Sequence, residues 1–334
     1  MAYSKPSTNP HEQAILTSII YSDIFNFPLT KSELWKFLIS EKKISRISFE
    51  KTLKKLSTTN RHSGKRETSA SRIPNDRSQS DPGQARMTNK ISHKDTYYCL
   101  AGQEKIIDGR RKNKAEAVRK LKIAQKATLY LSHIPSILFI GISGGLAMGD
   151  VEPTDDIDIF VITKKNTIFK SRLLILFLLQ LLNLRRRRND ANPTDKICVN
   201  YLIDEESLSF SKKKHDVYTA HEILQIKPLY DVKSTFGSFL ESNKWINSFF
   251  PNAKKTEGKN IQINKIFTLK LSLHILNIII PEKLGRFVQM IFINKHRKSE
   301  IVTNHVLAFH PNDYRVQTLD KLRLKLHELG LLTN

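Results

Sequence analysis

Apolar residues recur at helical spacing in three runs between positions 12 and 58. The segment from Asp23 to Pro28 ends the first run, because proline cannot continue a helix. Thr30 then begins a second helix, with Glu33 three residues later in the position of a capping box. The third run extends from about residue 48 to 56, and a short strand is predicted at 97–100.

Three short helices closed by a β element predict a small winged-helix-like module over residues 1–100. Residues from about 60 to 94 interrupt it and contain few apolar side chains but many Ser, Arg, Gly and Pro. Such a segment cannot bury enough apolar surface to become ordered, so a disordered insertion in the wing loop is predicted. Modules of this kind bind DNA or act as protein–protein adaptors, and both alternatives remain open.

The middle of the chain alternates strand-like and helix-like runs. A basic helix is predicted at 104–132, followed by strands at 137–142, 156–163 and 196–203, with a helix at 167–184 between the last two. Further helices are predicted around 218–226 and up to 245, which predicts a core over residues 101–250. Residues 251–334 are predicted to form a helical C-terminal region that ends in an amphipathic helix at 312–332.

Two long apolar stretches occur at 173–184 and 269–280. Both contain polar residues and are shorter than the roughly 20 residues that a membrane span needs, so both are predicted as buried helices. The polar N-terminus lacks the apolar core of a secretory signal. We therefore expect a cytoplasmic protein with no membrane partner.

The composition adds a preference for polyanionic partners. Lys and Arg total 55 against 32 Asp and Glu, which gives a formal charge of +23, and 40% of the residues are apolar. Such a charge favours nucleic acid, nucleotides or anionic lipid, although a general enrichment in Lys, Ile and Asn would produce it without any functional demand. Cys99 and Cys198 have no companion at metal-ligand spacing, so a zinc site is not predicted and a reducing compartment is expected.

The candidate chemistry lies in the stretch ILFIGISGGLAMGDVEPTDDIDIFVIT. A strand ends at Ser143-Gly144-Gly145, and a second strand opens with Asp156 and Asp158. Residues two apart on a strand point to the same side, with Cα atoms roughly 6.5 to 7 Å apart. Paired carboxylates are ligands for hard divalent cations, and a glycine loop leaves backbone N–H groups available to phosphate.

This stretch resembles the polymerase-beta-like nucleotidyltransferase superfamily, whose pattern is Gly-[Gly/Ser], about ten residues, then Asp-apolar-[Asp/Glu]-apolar. The resemblance covers about residues 137–203. It implies an α+β fold: a small mixed-sheet nucleotidyltransferase core, with helices on one side of the sheet, between the winged-helix-like module and the helical C-terminal region. It also implies that Asp156 and Asp158 bind two Mg²⁺ ions, and that Ser143, Gly144 and Gly145 meet the phosphates of a nucleoside triphosphate.

This sequence departs from the family pattern at the third carboxylate, which the family normally takes from a neighbouring strand. Its slot matches Asn200, whose amide can bind a metal through its carbonyl oxygen but cannot act as a base. Asp195, Asp204 and Glu222 are alternatives. Two functions follow: a Mg²⁺-dependent enzyme that moves a nucleoside monophosphate from an NTP to an acceptor, or a weak or inactive relative that binds nucleotide, RNA or DNA as a regulator or adaptor. A third, a peripheral membrane protein that uses its basic and apolar segments, is less favoured because the apolar helices are better explained as core.

Overall fold

The computed structural model describes residues 9–57, 91–187, 190–253, 267–296, 300–309 and 314–332. Within these residues the chain forms eleven α-helices, a three-stranded sheet and a six-stranded sheet. Its contacts divide it into two compact units. Unit 1 comprises residues 1–110, 247–253 and 318–334, and unit 2 comprises residues 111–246 and 254–317.

Unit 1 is built on short helices and an antiparallel sheet in the order β1-β3-β2. Its elements are α1 (Pro10–Asp23), β1 (Leu29–Thr30), α2 (Lys31–Lys36), α3 (Arg46–Ser57), β2 (Ile91–Lys94) and β3 (Tyr97–Leu100). The predicted capping box is confirmed, since Glu33 N donates to Thr30 Oγ1 and Glu33 Oε2 accepts from Thr30 N at 2.9 Å. The buried Arg110 donates to Glu33 Oε1 at 2.5 Å and stacks on the Phe27 ring, which ties the start of α2 to the interior of the unit.

The predicted disordered insertion lies largely outside the described residues. Its last four residues, Ile91–Lys94, form β2, so the prediction is wrong for them. Strands β2 and β3 pair through a tight turn that contains Asp95 with φ 57°. The segment from 58 to 90 therefore comes between α3 and β2 in the chain, and not in the loop between the two paired strands as predicted.

Unit 2 carries the six-stranded sheet. Its elements are α4 (Lys105–Leu131, from residue 111), β4 (Ile137–Ile142), α5 (Gly144–Met148), β5 (Ile157–Thr163), α6 (Ile168–Leu181), β6 (Ile197–Asp204), α7 (Val217–Gln225), β7 (Lys227–Asp231), α8 (Thr235–Ser242), α9 (Phe267–Ile279), α10 (Glu282–His296), β8 (Ile301–Val302), β9 (Val306–Ala308) and the first turn of α11 (Tyr314–Glu328). Short 3₁₀ helices cover Lys212–Lys214 and Lys244–Ser248.

The sheet of unit 2 has the order β7-β4-β5-β6-β9-β8. Strands β5 and β6 pair in parallel and the other neighbours are antiparallel, so the predicted mixed sheet is confirmed. The sequence missed β7, β8 and β9. Pro228 sits within β7, which is tolerated because β7 is an edge strand.

Helices cover both faces of this sheet, which differs from the one-sided arrangement that the resemblance implies. Alternate β4 and β5 residues such as Ile140 and Val161 pack with α6 in the main apolar cluster. On the other face, Phe139 stacks on Phe236 of α8 with ring centroids 4.9 Å apart, and Phe160 packs on Phe239. Phenylalanine at these positions therefore gives the second face an aromatic cover of its own.

The two apolar stretches behave differently. In α6, Leu174, Ile175 and Leu178 are buried as predicted. In α9, Leu273 is buried, but Leu271 and Ile278 are exposed, so the prediction of a buried helix at 269–280 holds for only one of its faces. No helix in the described ranges combines the length and the apolar character that crossing a membrane requires.

Candidate functional site

The site begins where β4 ends at Ile142 and the chain turns through Ser143-Gly144-Gly145. Gly144 has φ +61°, and a Cβ there would lie 2.9 Å from Asp158 Oδ2. A Cβ on Gly145 would lie 2.6 Å from the Asp150 carbonyl oxygen. Glycine thus fits Gly144 because of its positive φ and its contact with the carboxylate of Asp158, and Gly145 because the backbone of Asp150 leaves no space for a side chain.

The two aspartates come together as predicted. Strand β5 begins at Ile157, and Asp156 stands immediately before it. One ligand atom from each of Asp156, Asp158 and Cys198 lies within 4.8 Å of the others. The main chain joins this cluster to the turn, because Ser143 N donates to the Asp158 carbonyl oxygen at 3.1 Å.

Strand β6 supplies the next two members of the site. In the parallel register Asp158 lies beside Cys198, and an irregularity follows before Phe160 pairs with Tyr201. Asn200 Nδ2 donates to Asp158 Oδ1, and Cys198 Sγ donates to Asn200 Oδ1 at 2.7 Å. Asn200 therefore lies next to the carboxylate of Asp158.

Cys198 and Arg186 are site residues that sequence reasoning missed. The alternation of strand faces was a signal for Cys198, because it is two residues from Asn200. Arg186 Nη1 donates to Asp156 Oδ2, and nothing in the sequence distinguishes Arg186 from its basic neighbours. Burial, reinforced by Asp158 and Asp156, raises the pKa of the Cys198 thiol to about 12, so this sulfur is a neutral thiol near pH 7.

The surroundings of Asp158 destabilise the ionised form of its carboxylate. Burial raises its pKa to about 7, and the neighbouring Asp156 and Glu222 add to the rise. Arg186 and the hydrogen bond from Asn200 act in the opposite direction. A bound cation would relieve this electrostatic cost, because it lies between the carboxylates and favours their ionised forms.

The three alternative carboxylates have different positions. Asp195 pairs with Arg119 at 2.5 Å and Lys120 at 3.1 Å. Asp204 lies at the other end of β6, buried and bonded to His305. Glu222 on α7 is the one whose charge acts on Asp158.

Glu222 also lines a cavity of about 240 Å³ together with Ser143 of the turn. Burial raises the pKa of Glu222 to about 7, and Gln225 Nε2 donates to its carboxylate at 2.6 Å. The other walls are aromatic and basic: Phe160, Tyr201, Phe210, Lys214 and Arg315. A cavity with aromatic walls and a few polar groups is typical of a small-molecule site.

A buried lysine holds the loop that leads into the aspartates. Lys120 of α4 is 0% exposed. Its Nζ donates to the carbonyl oxygens of Pro153 at 2.9 Å and Asp155 at 2.7 Å, and to Asp195 Oδ1 at 3.1 Å. One ammonium group thereby fixes the approach to β5 and the approach to β6.

Comparisons with known proteins give no neighbour for this chain. Neither protein-family models, nor curated proteins, nor solved structures match it.

The donor set fits a hard cation better than a soft one. Asp156 and Asp158 offer carboxylate oxygens, and Asn200 offers an amide oxygen if its side chain turns, all of which suit Mg²⁺. Cys198 offers a sulfur within the same group, which is a soft ligand that Mg²⁺ does not favour. Of the site residues, Ser143 and Glu222 line the cavity, whereas Asp156 and Asp158 are not among its lining residues.

Proposed function

We propose that this protein is a Mg²⁺-dependent nucleotidyltransferase that moves a nucleoside monophosphate from an NTP to a hydroxyl-bearing acceptor. The observation that carries the proposal is the contact between the glycine turn and the acidic pair, with room for no side chain at Gly144 beside Asp158. The succession of β4, glycine turn, β5, α6 and parallel β6 supports it, because it follows the order of the nucleotidyltransferase pattern.

The residues of the chain have distinct roles in this proposal. Asp156 and Asp158 would hold Mg²⁺, with Asn200 as a candidate third ligand. Bound Mg²⁺ supplies charge stabilisation for the attacking and leaving oxygens. Ser143 and the N–H groups of Gly144 and Gly145 bind the phosphates.

Glu222 is the candidate proton acceptor, because it shares the cavity with Ser143 and its pKa is raised to about 7 by burial. A base with a pKa near the working pH is effective in proton transfer. Asn200 cannot take that role. The acceptor hydroxyl then forms the new bond to the α-phosphorus, its proton passes to Glu222, and pyrophosphate leaves.

A second function is favoured by two observations. Asn200 leaves the third position without a charge. In unit 1, the order of helices and strands, with β2 and β3 paired after α3, supports a winged-helix-like module. A nucleotidyltransferase-fold protein without turnover, which binds nucleotide or nucleic acid as a regulator or adaptor, would have both features.

The two functions separate in one experiment. The full chain is incubated with each of the four α-³²P-labelled NTPs and Mg²⁺ or Mn²⁺, and both NTP binding and label transfer to protein, RNA or small acceptors are measured. The test variant is Asp156→Ala/Asp158→Ala, and the matched control is Asp155→Ala, which removes a neighbouring carboxylate outside the cluster.

Aspartate-dependent transfer supports the enzyme. Metal-dependent binding without transfer supports the regulator. If the wild-type protein neither binds NTP nor transfers label, the enzyme and the nucleotide-binding regulator are both refuted.

A further inference from the structure

Helices α9 and α10 each present an apolar stripe to solvent. The spacing of three and four residues places the members of each stripe on one side of its helix. We define the α9–α10 surface by the side chains Leu271, Ile275, Ile278, Leu284, Phe287 and Ile291, of which Ile278 and Phe287 are 70% and 67% exposed. Exposed apolar stripes of this kind are typical of interaction sites.

The opposite sides of the two helices are anchored in unit 2, which fixes the stripes outward. Leu273 of α9 is buried. A Cβ on Gly285 would lie 2.9 Å from Lys170 N, so α10 packs closely on the start of α6. Gln289 Nε2 donates to the Phe169 carbonyl oxygen at 2.6 Å. The apolar stripes are therefore not the packing faces of these helices.

The charges on these helices are almost all positive. Lys270, Lys283, Arg286 and Lys295 are exposed. The one acidic residue in this part of the sequence is Glu282, and its carboxylate accepts from the N–H groups at the start of α6, at 2.7 and 2.9 Å. The surface thus combines exposed apolar side chains with positive charges. Neither α9 nor α10 has a further carboxylate that could neutralise these charges.

The positive charge of the α9–α10 surface distinguishes between three partners that could bind it: a second copy of this chain, nucleic acid and an anionic lipid surface. A second copy of this chain would bring the same cations face to face on a protein of charge +23, which opposes self-association. Nucleic acid would engage the cations but not the apolar stripes. An anionic lipid surface engages both, because the apolar stripe enters the acyl boundary while Lys and Arg meet the headgroups.

We propose that the α9–α10 surface binds anionic lipid bilayers, with both helices lying in the plane of the interface. The helices have 13 and 15 residues, about 20 Å at 1.5 Å per residue, so they lie on the bilayer and do not span it. The sequence-based expectation of no membrane partner assumed that residues 269–280 are core, whereas one side of α9 faces solvent. This proposal is independent of the proposed enzymatic function.

The test is co-sedimentation of the full chain with vesicles. One set contains phosphatidylcholine alone, and the other contains phosphatidylcholine mixed with phosphatidylglycerol. We expect binding to the mixed vesicles only, and at least a tenfold loss of affinity in Phe287→Ser/Ile291→Ser. These two side chains are exposed, so folding should be retained, and circular dichroism checks this. The matched control is Ile47→Ser, which removes an apolar side chain that is 82% exposed in unit 1.

Three outcomes would overturn the proposal. The wild-type protein fails to sediment with the mixed vesicles. The double variant binds as well as the wild type, which would assign binding to charge elsewhere in the chain. Light scattering shows a dimer that the double variant dissociates, which would assign the surface to a second copy.

Discussion

Replacing Asp158 by asparagine should stabilise the metal-free protein above pH 7. The change keeps a side-chain oxygen that accepts the hydrogen bond from Asn200, while it removes a charge that burial and Asp156 disfavour. In the proposed function, a bound cation would offset the cost of this charge.

The magnitude follows from the pKa. Burial raises the pKa of Asp158 from 3.8 to about 7, and each tenfold change in proton affinity is about 1.4 kcal/mol. The ionised carboxylate therefore costs the folded state up to about 4 kcal/mol. Because the folded pKa is raised, stability from this group is complete below about pH 4, falls between pH 4 and 7, and is absent above pH 7.

The assay is urea unfolding of wild type and Asp158→Asn at pH 5 and pH 8, with and without Mg²⁺. Without metal, the gain in the variant should be about 2 to 4 kcal/mol at pH 8 and clearly smaller at pH 5. Mg²⁺ should stabilise the wild type alone. Asp156→Asn is the matched control, and it should give no gain because it leaves Arg186 without its carboxylate. A variant that is less stable than wild type at pH 8 would refute this reasoning.

The remaining predictions concern the supports of the site and the far end of β6. Lys120→Met should lower the unfolding free energy by about 3 to 5 kcal/mol, because it leaves buried carbonyl oxygens and part of an ion pair unmatched; thermal or urea unfolding measures this. Gly144→Ala should weaken Mg²⁺ binding in calorimetry, whereas Gly149→Ala, also at positive φ (+73°) but with open space around it, should cost only about 1 kcal/mol of stability. The hydrogen bond to Asp204 raises the pKa of His305, so its stabilisation is complete below about pH 6.5 and disappears as pH rises through the raised value. His305→Gln should flatten that part of the stability-versus-pH curve, and an unchanged curve would contradict the assignment.

The strands that carry the site were predictable, because β4, β5 and β6 are long apolar runs bounded by turn residues. The position of Asn200 near the acidic pair was expected only from the family resemblance, because the register of β6 against β5 is not readable from the sequence. Strand β7 was not predictable from the sequence. Pro228 suggests a break in the strand unless it is known that β7 lies at the edge of the sheet. The two- and three-residue strands β8 and β9 have no pattern of their own and depend on pairing with β6.

Long-range contacts account for the other omissions. Arg186 is one of several arginines in a row, and only the folded chain brings it to Asp156. The outward stripes of α9 and α10 were missed because apolar content alone does not tell which partner covers a helix. Glu222 lies 64 positions after Asp158 in the chain, and α7 brings it to the same region of the sheet.

The amide of Asn200 affects the stability of the folded protein when no metal is bound. A carboxylate there would add a third negative charge beside Asp156 and Asp158, and the chain would then depend on a cation in order to fold. Asn200 instead donates a hydrogen bond that favours the ionised form of Asp158. In the proposed function this hydrogen bond would separate folding from metal loading, so that newly made protein could reach its final form before it takes up the ion.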